Sequence, residues 1–321
     1  MRDNQKKYFT DCLDTVFVIN QDARKNLGED SFYCVKSKNS ALISVFDGCG
    51  GLGARKYDTF QGHTGAYMAS RIISGATCDW YHNNYTKEWK DAPRLIASLD
   101  EYIQKAYSIC EKYTEDVRKI RGSMVRKFPT TMAMAYAQLE QEKIMVHILW
   151  AGDSRVYLLD DSGLAQLSKD DTEVEDALEN LISDGAMTNV LSADGRYKIN
   201  RKTIYLTKPA IILAATDGCF GYIPSPMEFE YLLLNSLIHT ATPEILKKEL
   251  YKQFSRYAGD DFTFGMMSFF YGDYNSTRQA LKPRLDYLEQ NYINVIMKEG
   301  SQECVHYLWK KYKIDYEKYI K

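Results

Sequence analysis

The stretch Ala41-Leu42-Ile43-Ser44-Val45-Phe46-Asp47-Gly48-Cys49-Gly50-Gly51 can be read in two ways that imply different folds. With Leu52 and Gly53 it completes a G-x-G-x-x-G pattern directly after an apolar run, the position of a dinucleotide-binding loop in a parallel β-α-β unit. Alternatively, it is a buried strand that ends on a carboxylate. The context decides against the first reading. Asp47 would set a negative charge against a pyrophosphate, no clear helix begins at the third glycine, and the flanking elements do not alternate β-α-β.

Outward from this stretch the pattern is one of strand blocks separated by helix pairs. Upstream, TVFVI (15–19) and SFYCV (31–35) are short β-rich runs bounded by turn-forming residues. Downstream, helices are expected over 63–74 and along the row Leu95, Leu99, Ile103, Ala106, Cys110, Tyr113 and Val117, with Pro93 tolerated in the first turn. Strands return over 130–158, spaced closely enough to be joined as antiparallel hairpins. A polar segment, 168–196, is expected as a surface excursion, or flap, before strands at 203–206 and 210–216. Helical patterns at 227–238 and 243–254 precede a last strand, 262–270. Leu281, Leu285, Leu288 and Tyr292 mark a further helix, and the tail from Gln302 is helical in pattern.

This order predicts an α+β fold, a central β-sandwich of two antiparallel sheets flanked by helix pairs. The expected organisation is one domain over 1–272 with a C-terminal helical extension over 273–321. The balance of 41 basic and 43 acidic residues gives no excess charge to draw the chain to nucleic acid or an anionic membrane, so binding is expected at a local site. No signal-peptide core or membrane-length apolar run is seen, and the expected location is cytoplasmic. The seven scattered cysteines lack C-x-x-C spacing and read as reduced thiols.

The acids repeat the arrangement of the opening stretch. Glu29 and Asp30 precede a strand, Asp47, Asp153 and Asp217 follow strands, and Asp260 and Asp261 precede the last one. Strand ends in a sandwich share a rim, where grouped carboxylates repel unless cations neutralise them. An all-oxygen ligand set favours Mg²⁺ or Mn²⁺ over zinc. The plainer account is that each Asp-Gly pair is a hairpin turn. Against it, SVFDGCGG and ILAATDGCFG carry more apolar and glycine context than a turn requires.

Six motifs, in order from about Asn20 to Phe270, make the chain resemble the type 2C (PPM-type) metal-dependent protein serine/threonine phosphatases. They are Gly28-Glu29-Asp30-Ser31, Val45-Phe46-Asp47-Gly48-Cys49-Gly50-Gly51, Thr130-Thr131-Met132, Ala151-Gly152-Asp153-Ser154-Arg155, Ala215-Thr216-Asp217-Gly218 and Gly259-Asp260-Asp261-Phe262-Thr263. The resemblance implies two Mn²⁺ or Mg²⁺ ions bridged by Asp47, one also bound by Glu29 and the Gly48 carbonyl, the other by Asp217 and Asp260. It implies that Asp30 orients the attacking water, that Arg24 grips the substrate phosphate, and that Asp153 binds a weaker third ion. The implied reaction is hydrolysis of phosphoserine or phosphothreonine in a protein substrate, opposing a serine/threonine kinase, by a metal-activated water.

Four positions depart from the family pattern. Arg24 lies one residue further from Glu29 than the commonest spacing, leaving Lys25 as an alternative clamp. Cys49 stands where many relatives carry a histidine general acid, so the proton for the leaving oxygen is expected from a metal-bound water, or from His63 if its loop folds back. Gly221 replaces an acidic residue, and Asp171 a histidine. The alternatives are a pseudophosphatase acting as a phosphoprotein-binding module, and an interaction protein whose C-terminal segment docks a partner.

Overall fold

The computed structural model describes residues 8–114, 126–183 and 185–320. Twelve strands are seen among them: β1 (Leu13–Gln21), β2 (Ser31–Lys36), β3 (Ser40–Phe46), β4 (Lys56–Tyr57), β5 (His63–Thr64), β6 (Met132–Glu140), β7 (Lys143–Ala151), β8 (Arg155–Asp160), β9 (Gly163–Gln166), β10 (Asn200–Leu206), β11 (Ala210–Ala215) and β12 (Phe262–Phe269). The helices are α1 (Gly65–Asn84), α2 (Ala92–Lys112), α3 (Ala177–Ser183), α4 (Pro226–Ile238), α5 (Pro243–Tyr257), α6 (Tyr274–Leu288), α7 (Asn294–Glu299) and α8 (Gln302–Tyr316). Val117, the last position of the α2 pattern, lies outside the described residues, as does Lys321 of the tail.

Two five-stranded antiparallel sheets face each other, in the orders β1-β12-β11-β8-β9 and β10-β7-β6-β3-β2. The α+β sandwich expected from the sequence is the observed fold. Strand alternation divides the apolar residues between two faces. On β3, Ile43 and Val45 point into the space between the sheets, where they meet Ala133, Ala135, Ile212, Ala214 and Met267. Leu42 and Phe46 of the same strand point outward, against Ala69, Ile73, Leu95, Leu99 and Ile103 of α1 and α2. On the opposite outer surface Leu159, Leu213 and Phe264 lie in one core with Leu233, Leu246, Leu285 and Leu308 of α4, α5, α6 and α8. Each fully buried leucine of this kind contributes about 1.5–3 kcal/mol.

The helices start where side chains satisfy their first N–H groups. Thr64 accepts the N–H of Tyr67 at α1, Ser225 that of Glu228 at α4, Thr242 that of Ile245 at α5, and Ser301 that of Cys304 at α8. Pro226 and Pro243 occupy first helical positions, where no N–H is required. The apolar residues of α6 and α8 are buried on their own domain, with Leu281, Leu285, Leu308 and Tyr316 no more than 5% exposed.

Two expectations are corrected. β6 and β7 form the expected hairpin, but β7 and β8 do not: β8 pairs with β9 and β11, so the chain crosses between sheets at Gly152-Asp153-Ser154. Both strands are buried on both faces, so no alternation in either one shows which sheet the next strand joins. β9 itself, four residues without a β-branched or aromatic side chain, carries no strand signal in the sequence. The excursion 168–196 is irregular apart from α3, yet several of its residues are buried, among them Ala177, Leu178, Val190 and Leu191.

Candidate metal centre

Strand register gathers the acids at one rim. Ser31 lies opposite Phe46, so Asp30 and Asp47 stand at the same end of the β2–β3 pair. Ala215 lies opposite both Phe264 and Arg155, which brings the ends bearing Asp217, Asp261 and Asp153 together. Met132 lies opposite Ala151, placing Thr131 beside the crossing that carries Asp153.

Hydroxyls fix this rim. Thr131 donates its N–H to the Asp47 carbonyl at 2.8 Å and accepts the Asp47 N–H on Oγ1 at 3.1 Å, while Thr130 Oγ1 donates to the same carbonyl at 2.7 Å. Thr216 and Thr263 each donate to Asp30 Oδ2 at 2.8 Å. The Thr64 hydroxyl donates to Glu29 Oε1. Asp261 accepts the N–H groups of Ala23 and Glu29 at 2.6 and 2.5 Å, tying the Arg24 segment to the start of β2.

The acids fall into two groups. Asp30, Asp47, Asp153 and Asp217 form a knot at the floor, close enough that the charge of Asp217 acts on each of the other three. Glu29, Asp260 and Asp261 line a neighbouring cleft of about 390 Å³. Asp260 is exposed at its lip, where it accepts the Asp261 N–H at 2.8 Å. Among the described residues, no three acidic, histidine or cysteine side chains converge closely enough to cage one ion.

Burial holds the Asp47 carboxyl well above the usual carboxylate range, and the charges of Asp217, Asp30 and Asp153 add to it. Asp30 is raised by burial against the opposing hydroxyl bonds of Thr263 and Thr216. Glu29 is raised by burial, offset by Thr64. Asp153 is pushed up to about 8 by burial and by Asp217 and Asp170, and its Oδ1 is buried with no hydrogen-bond partner. A buried carboxyl oxygen without a donor is costly.

The donor chemistry, carboxylates with an orphaned buried oxygen at Asp153, is of the kind that suits hard divalent cations. Two glycines are required for the same close quarters. A Cβ on Gly48 would lie 2.4 Å from the Ala66 carbonyl oxygen, and one on Gly218 would lie 1.9 Å from the Asp261 carbonyl oxygen. Neither Gly48 nor Gly218 has a positive φ, so Asp47-Gly48 and Asp217-Gly218 are not the type I′ hairpin turns of the plainer account.

Arg24 lines the cleft with Glu29, Asp260 and Asp261, together with Lys56 and His63, whereas Lys25 is not among its lining residues. The β4–β5 hairpin folds the loop back and sets His63 on the cleft wall, stacked on Tyr67 at 3.8 Å between ring centroids. The Arg71 guanidinium lies near the same Tyr67 ring, 3.5 Å from its centroid. Cys49 is buried, and burial followed by the surrounding carboxylates pushes its thiol well up, so it is neither a thiolate nor a ready proton donor. Gly221 lines a cavity of about 320 Å³ with Asp153, Asp217 and Tyr222.

In the sequence, the hydroxyls of Thr64, Thr216 and Thr263, Lys56 and the Asp170-Asp171 pair carry no signal of the roles they take in the fold. Asp171 accepts the Gly152 N–H at 3.1 Å and amide donors from Asn189 and Asn200. Asp170 takes Arg155 through Nε at 3.0 Å and Nη2 at 2.7 Å. Within a polar excursion, nothing local distinguishes these acids from solvated ones.

No family model matches the sequence, and no curated protein matches it. Solved structures match in fold. The Mycobacterium tuberculosis serine/threonine phosphatase PstP/Ppp aligns at 20% identity and TM-score 0.53, over 80% of this chain and 98% of its own. Stp1 from Staphylococcus aureus, a serine/threonine phosphatase, aligns at 16% identity and TM-score 0.56, over 80% and 96%. The catalytic domain of PstP in complex with two manganese ions aligns at 17% identity and TM-score 0.51, over 80% and 99%. At these identities the likeness shows the fold, which is that of the PPM-type serine/threonine phosphatases. Among the described residues, no helix is long and apolar enough to cross a membrane.

Proposed function

We propose that the protein is a metal-dependent serine/threonine phosphatase acting on phosphoproteins, with residues 1–272 as the catalytic part and 273–321 as a helical extension. The observation that carries this reading is the gathering of acids from five strand ends onto one rim, beside a cleft that presents Arg24. Asp47 would bridge two ions, with Glu29 and the Gly48 carbonyl on one and Asp217 and Asp260 on the other, and Asp153 would serve a third. When bound, Mn²⁺ or Mg²⁺ would neutralise the crowded carboxylates and acidify water enough to supply a nucleophile near neutral pH.

The chain's own residues supply the rest. Arg24 would hold the phosphate oxygens through its fork of N–H donors. Asp30, pinned by Thr216 and Thr263, would orient the attacking water. The water oxygen would bond to phosphorus and give up a proton to solvent as the bond to the serine or threonine oxygen breaks, and that oxygen would take a proton, leaving phosphate and the free hydroxyl. His63, which lines the cleft, would donate it in place of the buried Cys49 thiol.

One observation favours the second reading, a phosphoprotein-binding module without turnover: Gly221 stands where the family pattern has an acid. A phosphopeptide hydrolysis assay in Mn²⁺, Mg²⁺, Zn²⁺ and EDTA separates them. Turnover in Mn²⁺ or Mg²⁺ that EDTA removes is expected. Turnover undiminished by chelation overturns metal dependence, and phosphopeptide binding without turnover in any metal establishes the module.

A further inference from the structure

Asp176 links the C-terminal helix to the excursion. Its Oδ1 accepts the N–H groups of Leu178 at 2.9 Å and Glu179 at 3.1 Å, which makes it the cap of α3. The same carboxylate takes two donors from α8, the Trp309 indole N–H at 3.0 Å and the Lys313 ammonium at 2.6 Å. Burial opposes its ionisation, but the bonds from Lys313, Glu179 and Trp309 carry its pKa below the usual carboxylate range.

From α3 the connection continues inward. Asn180 donates to Asp170 Oδ2 at 2.8 Å, and Asp170 holds the Arg155 guanidinium in a bidentate pair in which both side chains are nearly inaccessible. Tyr316, at the end of α8, reaches Arg155 Nη1 with its hydroxyl at 3.5 Å. On the other side, Asp171 exchanges backbone and side-chain bonds with Gly152. Asp153 thus lies between two residues, Gly152 and Arg155, that the excursion grips, and α8 grips the excursion.

The apolar contacts of α3 are limited to Ala177 and Leu178, which are buried, and Leu181, which packs against the same core. Its attachment therefore depends on charge-assisted bonds to α8, each stronger than a neutral hydrogen bond. We propose that α8 is a positioning element for the acidic rim: Trp309 and Lys313 hold Asp176, and through the excursion they fix Asp153. The proposal rests on the reading of Asp153 as a cation ligand.

The test uses the full chain carrying Trp309→Phe with Lys313→Met, which removes both donors and keeps apolar bulk, with Lys313→Met alone as a milder variant. Lys313→Arg, which keeps a donor, serves as the conservative rescue. Hydrogen exchange over 170–183 is compared with that of β6 and β7, and the Mn²⁺ concentration giving half the thermal stabilisation is measured alongside.

The expected result is exchange about tenfold faster or more in the excursion, unchanged in the strands, with half-saturating Mn²⁺ raised several-fold. Lys313→Arg should behave as wild type. The proposal is overturned if excursion exchange is unchanged, if it rises in step with the strands, or if the excursion loosens while the Mn²⁺ requirement stays the same. A wild-type chain that Mn²⁺ does not stabilise at all would instead defeat the reading of the site. The exchange data would still decide whether α8 holds the excursion.

Discussion

Asp47 and Asp217 follow β3 and β11, strands of the two facing sheets, and meet at the rim, where the charge of Asp217 adds to burial in raising the Asp47 carboxyl. Carboxylates crowded in this way repel unless a proton or a cation neutralises them.

Replacing Asp47 removes one member of this repelling knot and should not weaken the metal-free fold. For the wild type, Mn²⁺ at 100 times its Kd should add about 2.7 kcal/mol if it binds only the native state. At this chain length that is a melting shift of roughly 3–8 °C. Asp47→Asn should melt no lower than wild type in EDTA and lose nearly all of the Mn²⁺ shift, together with activity. Equal Mn²⁺ shifts in both proteins would show that Asp47 is not a ligand.

Asp153 makes a prediction of opposite sign to the usual acid. Its folded pKa is raised to about 8, so the native state binds the proton more tightly than the unfolded chain. That contribution is complete below about pH 4, the ordinary aspartate range, and is lost as the pH climbs toward 8. In EDTA, the stability of Asp153→Asn relative to wild type should therefore improve steadily between about pH 5 and pH 8. Urea unfolding at several pH values measures this, and a constant difference would rule it out.

Arg24 and Lys25 are adjacent in sequence and separated by the structure, since Arg24 alone of the pair lines the cleft. Arg24→Ala should lower kcat/KM by about tenfold or more, mainly through KM, because the phosphate is gripped in both ground and transition states. Lys25→Ala should change it little. The reverse order in steady-state kinetics would move the clamp by one residue.

Gly218 and Gly51 separate close approach from turn chemistry. Gly218→Ala sets a methyl 1.9 Å from a backbone oxygen and should cost more than about 2 kcal/mol. Gly51 is exposed, and a methyl added there would meet nothing within 4 Å, so Gly51→Ala should stay within about 0.5 kcal/mol. Chemical denaturation midpoints in EDTA compare the two, and equal losses would contradict the close-approach account.

The sandwich and its acidic rim were legible from the order of residues alone. Apolar runs marked the longer strands, and a carboxylate at each strand end must share a rim once those strands pair antiparallel, as Ser31 opposite Phe46 and Ala215 opposite Phe264 do. The crossing between sheets at Asp153 emerged only in the folded chain, because strands buried on both faces carry no alternation to direct the next one. So did the identity of the hydroxyls that hold the acids and the link from Asp176 to α8. Those contacts pair polar residues far apart in the chain, Asp30 with Thr263 and Asp176 with Lys313, and a polar residue looks the same in sequence whether it meets water or a distant donor. Burial and charge, which set its chemistry, exist only after the chain has folded.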